Sequence, residues 1–454
     1  MKKRGNTTCD RRTAMPESPP RAGAPARDVP NRTPDRPSAA DLDAHFQPIV
    51  AVRRGAVIGV EALARARDTN GQAIAPLDLF AAAARTGTAA ALDRACRRTA
   101  LERFAPLHRR APTLVCFVNC HVETFLADVD GPDGWPALAA THGIDPRALA
   151  LEVLETEAPD LAALAAATAR YRAAGFLVVV DDVGVGHSNL DRVAALQPDL
   201  LKADRSLVAG CAGDRVRRAV LRALVGLSEE IGGWLVIEGV EREEDALAAL
   251  DIGADLVQGF HLARPAPLAD SAPLDDVERR VQALAGLQRQ RTTRRVGDAR
   301  GMRDARTAFA RATAAILATC APSAWGAALA GALRGAPGGA ASAAVLDAAG
   351  RQLTATVRPD ASAAADRVER TLIFAPPAAG DDHALKEYVY LLDGAPEAVF
   401  ESPPYVPLPN ERLCVTLSTA FVDAEGTRRL LCLHLYADAQ GPPDVSPPGI
   451  VTGV

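Results

Sequence analysis

Leu177-Val178-Val179-Val180-Asp181-Asp182-Val183-Gly184-Val185-Gly186-His187-Ser188 is the stretch on which the reading of this chain turns. A run of four apolar residues, three of them β-branched, predicts a strand buried on both faces. Two adjacent aspartates end the run, and a glycine-rich loop follows. Outward from this point the pattern repeats. Val60 leads to Glu61, Val118 to Asn119, Leu151 to Glu152, Leu201 to Lys202, Ile237 to Glu238 and Val257 to Gln258. Polar residues thus cap the apolar strands throughout residues 41–268.

The strands read as His45–Val52, Ala56–Ala66, Leu114–Cys120, Leu149–Glu155, Leu177–Val183, Leu200–Asp204, Leu235–Val240 and Leu256–Phe260. Helical stretches lie between most of them: Pro76–Thr86, Leu92–Phe104, Leu161–Ala174, Arg215–Ile231 and Glu243–Ile252. Alternating strands and helices predict a parallel sheet covered by helices. About eight strands over roughly 220 residues predict a closed, TIM-like (β/α)8 barrel of the α/β class. Only Arg53-Arg54-Gly55 separates the first two runs, a hairpin spacing that makes one strand antiparallel. In such a barrel the strand ends converge on one mouth, where an active site sits.

Composition narrows the possibilities. The 454 residues are 48% hydrophobic and 24% charged, which is globular and excludes collagen-like, coiled-coil and wholly disordered chains. A formal net charge of −5 gives no overall basic field for DNA, and 4% aromatics give no stacking platform for single strands. None of the eight cysteines forms a Cys-x-x-Cys pair, which fits a reducing cytoplasm and places Cys116 and Cys120 in the core. Residues 1–40, with seven prolines and excess arginine, read as a disordered arm without a secretory signal. The uncharged run Ala312–Leu333 is mostly Ala and Gly, interrupted by Pro322, and reads as two packed helices, not a membrane span.

Carboxylates gathered at one mouth need a cation, because burying them together unpaired is costly. Hard oxygen ligands suit Mg²⁺ or Mn²⁺. Adjacent Asp181 and Asp182 can serve two ions, the arrangement used for in-line displacement at phosphodiesters, and Lys202 beside them can orient water or offset developing charge.

These residues carry a resemblance. Gln47-Pro48-Ile49-Val50, then Glu61-Ala62-Leu63-Ala64-Arg65, resembles the opening of the EAL domain family of bacterial cyclic di-GMP phosphodiesterases. Asn119, Glu152-Val153-Leu154-Glu155, the Asp181–Ser188 loop, Lys202-Ala203-Asp204-Arg205-Ser206, Glu238-Gly239-Val240-Glu241 and Gln258-Gly259-Phe260 follow in the family's order. The resemblance implies metal-dependent hydrolysis of cyclic di-GMP to linear 5′-pGpG, two metal ions per site, and a homodimer. It implies that Glu61, Asn119, Glu152 and Asp181 hold one ion, and that Asp181, Asp182 and Glu238 hold the other. Lys202 would contact the attacking water, with Glu61 and Glu238 at the reacting centre. Glu155 would brace the loop after Asp182; Gln47, Leu63 and Arg65 would line the nucleotide site; Asp204, Glu241 and Gln258 would support substrate at the mouth. The loop departs from the family pattern: Val183 stands for Phe, Val185 for Thr, His187 for Tyr and Asn189 for a small Ser. That departure leaves a second expectation open, a degenerate barrel that binds cyclic di-GMP or docks a partner without turnover.

Beyond the barrel, residues 269–311 read as a helical linker, helical over Asp275–Gln290 and then dense in arginine. Residues 312–440 read as an α+β unit: two helices, a strand and turn at Val345–Gly350, and β-rich Leu385–Leu392, Leu413–Asp423 and Thr427–Tyr436. This unit resembles PAS/Cache-type sensory domains, which implies an unidentified small-molecule or protein signal, with His383, Lys386, Tyr405 and Arg412 as pocket candidates. Residues 441–454 read as a disordered tail.

Overall fold

The computed structural model describes residues 42–153, 160–184, 190–267, 272–359, 377–392, 398–405 and 412–437. Glu155, Val185, His187 and Asn189 lie outside these residues, as do the expected arm and tail. The chain divides into two units, before and after the Gly286–Leu287 bond.

The first unit is a closed barrel. Strands β1 (Leu42–Ala51) and β2 (Ala56–Arg67) form the hairpin. The short β3 (Ala73–Ile74) hangs on β2. Then follow β4 (Val115–Cys120), β5 (Leu149–Val153), β6 (Leu177–Val183), β7 (Leu200–Ala203), β8 (Trp234–Ile237) and β9 (Leu256–Val257). From β2 through β4 to β9 each strand pairs parallel with the next, and β1 closes the ring, antiparallel to both β2 and β9. The closed eight-stranded α/β barrel is therefore present, with the one antiparallel strand that the Arg53-Arg54-Gly55 spacing predicts.

A layer of apolar side chains fills the interior: Ile49, Phe117, Ala150, Val179, Leu200, Val236 and Leu256. Gly59 belongs to this layer and makes room for it, since a Cβ there would sit 2.6 Å from the Phe117 ring. Outward-facing residues of the same strands, among them Cys116, Val118, Leu151, Val178, Val180, Leu201 and Ile237, pack against the surrounding helices. The helices include Ala89–Arg110, Leu161–Ala173, Arg215–Glu230 and Glu243–Asp251. The sequence reading passed over the helices Val122–Ala127 and Trp135–His142.

The helix Ala272–Thr319 runs past both ends of the expected Asp275–Gln290 stretch. Leu274, Val277, Val281 and Leu284 enter the first core; Ala310, Ala314 and Leu317 enter the second. In the second unit, β10 (Ala340–Asp347), β11 (Val399–Glu401), β12 (Cys414–Val422) and β13 (Arg428–Tyr436) make an antiparallel sheet in the order β10-β13-β12-β11. The helix Trp325–Leu333 packs on one face of it through Trp325, Leu329 and Leu333. Leu385–Leu392 corrects one expectation, because Glu387–Tyr390 is a helical turn rather than a strand. Its apolar residues serve a helix face, with Val389 and Leu392 buried three apart and Leu385 and Leu391 exposed. No helix among the described residues is long and apolar enough to cross a membrane.

Candidate active site

Side chains alternate along a strand, so residues two apart share a face. Two residues beyond Phe117, Ala150, Val179, Leu200, Val236 and Leu256 stand Asn119, Glu152, Asp181, Lys202, Glu238 and Gln258. Two beyond Gly59 stands Glu61. β1 runs the other way, and two residues before Ile49 stands Gln47, directly across from Glu61 in the register. One polar layer therefore sits on the apolar layer, at one mouth of the barrel.

Lys202 is its centre. The side chain is 1% exposed, and its ammonium lies 2.5 Å from Glu238 Oε1, 2.7 Å from Glu152 Oε1, 3.4 Å from Glu61 Oε2 and 3.8 Å from Asp181 Oδ1. Burial works to lower the lysine pKa, but Asp181, Glu152, Glu238 and Glu61 outweigh it and hold the ammonium well above its ordinary range. On Glu152 and Glu238 burial acts the opposite way, joined by the neighbouring carboxylates, with Lys202 opposing. Glu152, fully buried, is held well above the usual carboxylate range, and Glu238 is pushed up to about 8. Amides complete the layer. Asn119 Nδ2 donates to Glu61 Oε1 at 3.2 Å. Gln258 Nε2 donates to Glu61 Oε2 at 2.6 Å and to Gln47 Oε1 at 3.3 Å, while Gln47 Nε2 donates to the Ala263 carbonyl at 3.0 Å.

In a regular strand Asp181 and Asp182 would face opposite sides. The β6–β7 register shifts between Val180 and Val183, and Asp182 takes a left-handed φ of 53°, with its N–H donating to Asp181 Oδ1 at 2.8 Å. This bulge re-aims the strand end. Carboxylate oxygens of Asp181, Asp182 and Glu238 come within 4.8 Å of one another, the spacing of a cation cluster. Four carboxylates thus surround one ammonium and Asp182 joins two of them, and Glu152 Oε2 is buried with no hydrogen-bond partner among the described residues. The donor set fits hard divalent cations.

The remaining expected residues are placed differently. Arg65 is half-buried and donates to the Ala64 carbonyl at 2.9 Å; Leu63 is half-buried, across from His45. Asp204 follows β7 and caps the helical turn Arg205–Val208 by accepting from Ser206 N–H at 2.8 Å. Glu241 is exposed after β8. Gly259 follows Gln258 where a Cβ would lie 2.0 Å from the Val240 carbonyl, so only glycine lets these two segments meet.

Sequence reasoning missed a buried ion network behind Asn119. Asp93 accepts from Arg97 at 2.6 Å, from Thr124 Oγ1 at 2.5 Å and from His121 N–H at 3.3 Å, two residues past Asn119. Asp128 accepts from Arg94 at 2.7 Å and pairs with Arg97 at 3.1 Å. The available signal was an Asp–Arg pair four apart on the apolar side of a helix.

A family model described as EAL domain matches residues 31–265, which take in every strand from β1 to β9. The chain belongs to the EAL domain family. Among curated relatives of the EAL barrel, the Probable cyclic di-GMP phosphodiesterase PdeB of Escherichia coli is 28% identical over 230 residues, 51% of this chain and 44% of that protein. The bifunctional diguanylate cyclase/cyclic di-GMP phosphodiesterase MucR of Pseudomonas aeruginosa is 31% identical over 229 residues, 49% of this chain and 33% of that protein. The chain therefore spans less than half the length of these relatives. Among solved structures, the Bacillus subtilis YkuI protein, with an EAL domain, in complex with cyclic di-GMP and calcium, aligns with a TM-score of 0.69 at 21% identity. That alignment covers 88% of this chain and 98% of YkuI, so the shared fold extends beyond the EAL barrel.

Proposed function

We propose that this chain hydrolyses one phosphodiester bond of cyclic di-GMP, releasing linear 5′-pGpG. The observation that carries the reading is the polar layer at the barrel mouth, where four carboxylates contact one buried ammonium, Asp182 joins Asp181 and Glu238, and the amides of Asn119, Gln258 and Gln47 complete the layer. Glu61, Asn119, Glu152 and Asp181 would hold one Mg²⁺ or Mn²⁺; Asp181, Asp182 and Glu238 would hold the second. When bound, such ions polarise the phosphoryl oxygens and supply hydroxide near neutral pH. The remaining steps belong to the chain's own groups. Lys202, kept cationic by its neighbours, orients the attacking water and offsets charge developing on phosphorus oxygens. Water oxygen adds to phosphorus, the bond from phosphorus to the 3′ oxygen breaks, and the 3′ oxygen leaves as a hydroxyl. Arg65 would pair with a phosphate, with Gln47 and Leu63 along the nucleotide; Asp204, Glu241 and Gln258 would support the mouth and Glu155 its loop.

The reading extends to the whole chain: a cytoplasmic homodimer, with residues 41–268 catalytic, residues 269–311 a linker and residues 312–440 a PAS/Cache-like sensory unit that regulates hydrolysis. The antiparallel sheet with helices on one face supports the sensory reading.

Purified full-length protein incubated with cyclic di-GMP and Mg²⁺ or Mn²⁺ tests the proposal. Chromatography is expected to show the linear dinucleotide, and a chelator to abolish it. Tight binding without product would replace the enzyme by a receptor, the outcome to which the altered loop at Val183 points.

A further inference from the structure

Asn119 sits where the barrel ladder runs out. On the β2 side pairing ends at Ala62 and Val118, one residue short of it, while on the β5 side it continues to Cys120 and Val153. The chain then turns at His121 into the short helix Val122–Ala127, which receives no capping bond from the His121 side chain. A strand end paired on one side only needs a second anchor if its side chain is to keep a fixed position.

Asp93, from the helix Ala89–Arg110, supplies that anchor. Its Oδ1 accepts from the His121 N–H at 3.3 Å, and its Oδ2 from Thr124 Oγ1 at 2.5 Å. One carboxylate thus grips both the turn that ends β4 and the helix that follows. The carboxylate is itself fixed, because Arg97 donates to Oδ2 through Nε at 3.1 Å and through Nη2 at 2.6 Å. Arg97 in turn packs over the Trp135 ring, 5.2 Å from its centroid, and pairs with Asp128 at 3.1 Å. Asp128 closes the far end of the short helix and pairs with Arg94. Asp93, Arg97 and Thr124 are all buried, where the loss of a hydrogen bond is costly. The charges of two aspartates and two arginines balance, so the network calls for no ion of its own.

We propose that Asp93 is a positioning residue for the hydrolytic centre, holding the end of β4 so that Asn119 presents its amide oxygen to a divalent ion at the mouth. Asn119 Nδ2 is committed to Glu61 Oε1 at 3.2 Å, which leaves Oδ1 as the atom for a cation. The proposal deepens the proposed function and rests on its reading of Asn119 as an ion ligand. Asp93 belongs to the helix layer behind β4 and acts through the backbone of residues 119–121. Asparagine cannot do the same work, because an amide has one acceptor oxygen and Asp93 uses two. With its oxygen toward Arg97, an asparagine would set its NH₂ against the His121 N–H; turned about, it would set the NH₂ against the guanidinium.

The test titrates Mn²⁺ alone into metal-stripped full-length protein by calorimetry, in a double-mutant cycle of Asp93→Asn and Asn119→Ala. Asp93→Asn is expected to weaken Mn²⁺ binding about tenfold, the scale on which outer partners of metal ligands act. In the Asn119→Ala background the same substitution should shift the affinity by less than about twofold, because no amide is left to place. Hydrolysis of cyclic di-GMP by Asp93→Asn should fall at low Mn²⁺ and return toward the native rate at saturating Mn²⁺, which a general loss of folded protein would not do. If Asp93→Asn does not fold, Thr124→Val, which removes one of the groups the carboxylate holds, carries the same cycle with an expected loss of about threefold. Unchanged Mn²⁺ affinity, or an equal loss in both backgrounds, overturns the proposal. Native hydrolysis is assayed on the same preparations. Mn²⁺ binding with the expected coupling but no hydrolysis refutes the hydrolytic reading alone. Hydrolysis with a Mn²⁺ affinity untouched by Asp93→Asn refutes this one alone, and a native chain that binds no Mn²⁺ refutes both.

Discussion

Lys202 shows how one residue holds the mouth together. Its ammonium is the cation in contact with Glu61, Glu152, Asp181 and Glu238, all within 3.8 Å. Removing one partner of a buried ionic cluster leaves uncompensated charge, typically about 3–5 kcal/mol. Lys202→Met should therefore lose stability on that scale in metal-free urea unfolding. Added Mn²⁺ should restore more stability to the variant than it adds to the native chain. His434 makes a second prediction, in the acid range. Its folded pKa, about 4, lies below the ordinary histidine value near 6.5 because of burial and the nearby His383. The unfolded chain then binds the proton first, so the contribution is whole above about 6.5 and is lost as pH falls toward about 4. His434→Gln, which does not titrate there, should flatten the pH dependence of unfolding across that window. At this scale the acids of the site were legible, because each follows an apolar run at a fixed step. The contact of His383 with Gln352 was not, since Gln352 arrives from another segment.

Elements were legible where the apolar period was clean. Leu177–Val183 has the bounds its pattern predicts. β9 is shorter than the run Leu256–Phe260, because regular pairing ends at Val257 and the chain then turns at Gly259 against Val240. An apolar run does not mark where the last ladder bond falls. Leu385–Leu392 misled for a related reason: a short run with Val389 and Leu392 buried serves a helical turn as well as a strand. The bulge at Asp182 left only a faint trace, an aspartate where a left-handed φ is tolerated. The close approach at Gly259 gives this scale its prediction. Gly259→Ala would drive a methyl into the Val240 backbone, which cannot yield as a side-chain tip would. The expected result is a destabilisation of about 1–3 kcal/mol by denaturant unfolding, with weaker cyclic di-GMP binding through the displaced Gln258.

The whole molecule joins a barrel whose chemistry is written along its strands to a second unit whose polar groups come from scattered segments. The mouth could be read because seven parallel strands and one antiparallel strand obey a single rule, an apolar layer followed two residues on by a polar one. His383 stands out in the sequence, but Gln352 and His434, which meet it, come from separate segments that no spacing joins to it. The homodimer reading predicts a sedimenting dimer at micromolar concentration; monomer alone would contradict it. The central claim is that the layer around Lys202 is the hydrolytic centre. Its most direct test is the rate of linear dinucleotide formation from cyclic di-GMP at saturating Mn²⁺, native chain against Glu61→Ala. Glu61 accepts from Asn119 and Gln258 and faces Lys202, so the account predicts a fall of about a thousandfold or more with the fold retained by circular dichroism. An unchanged rate in Glu61→Ala would contradict it.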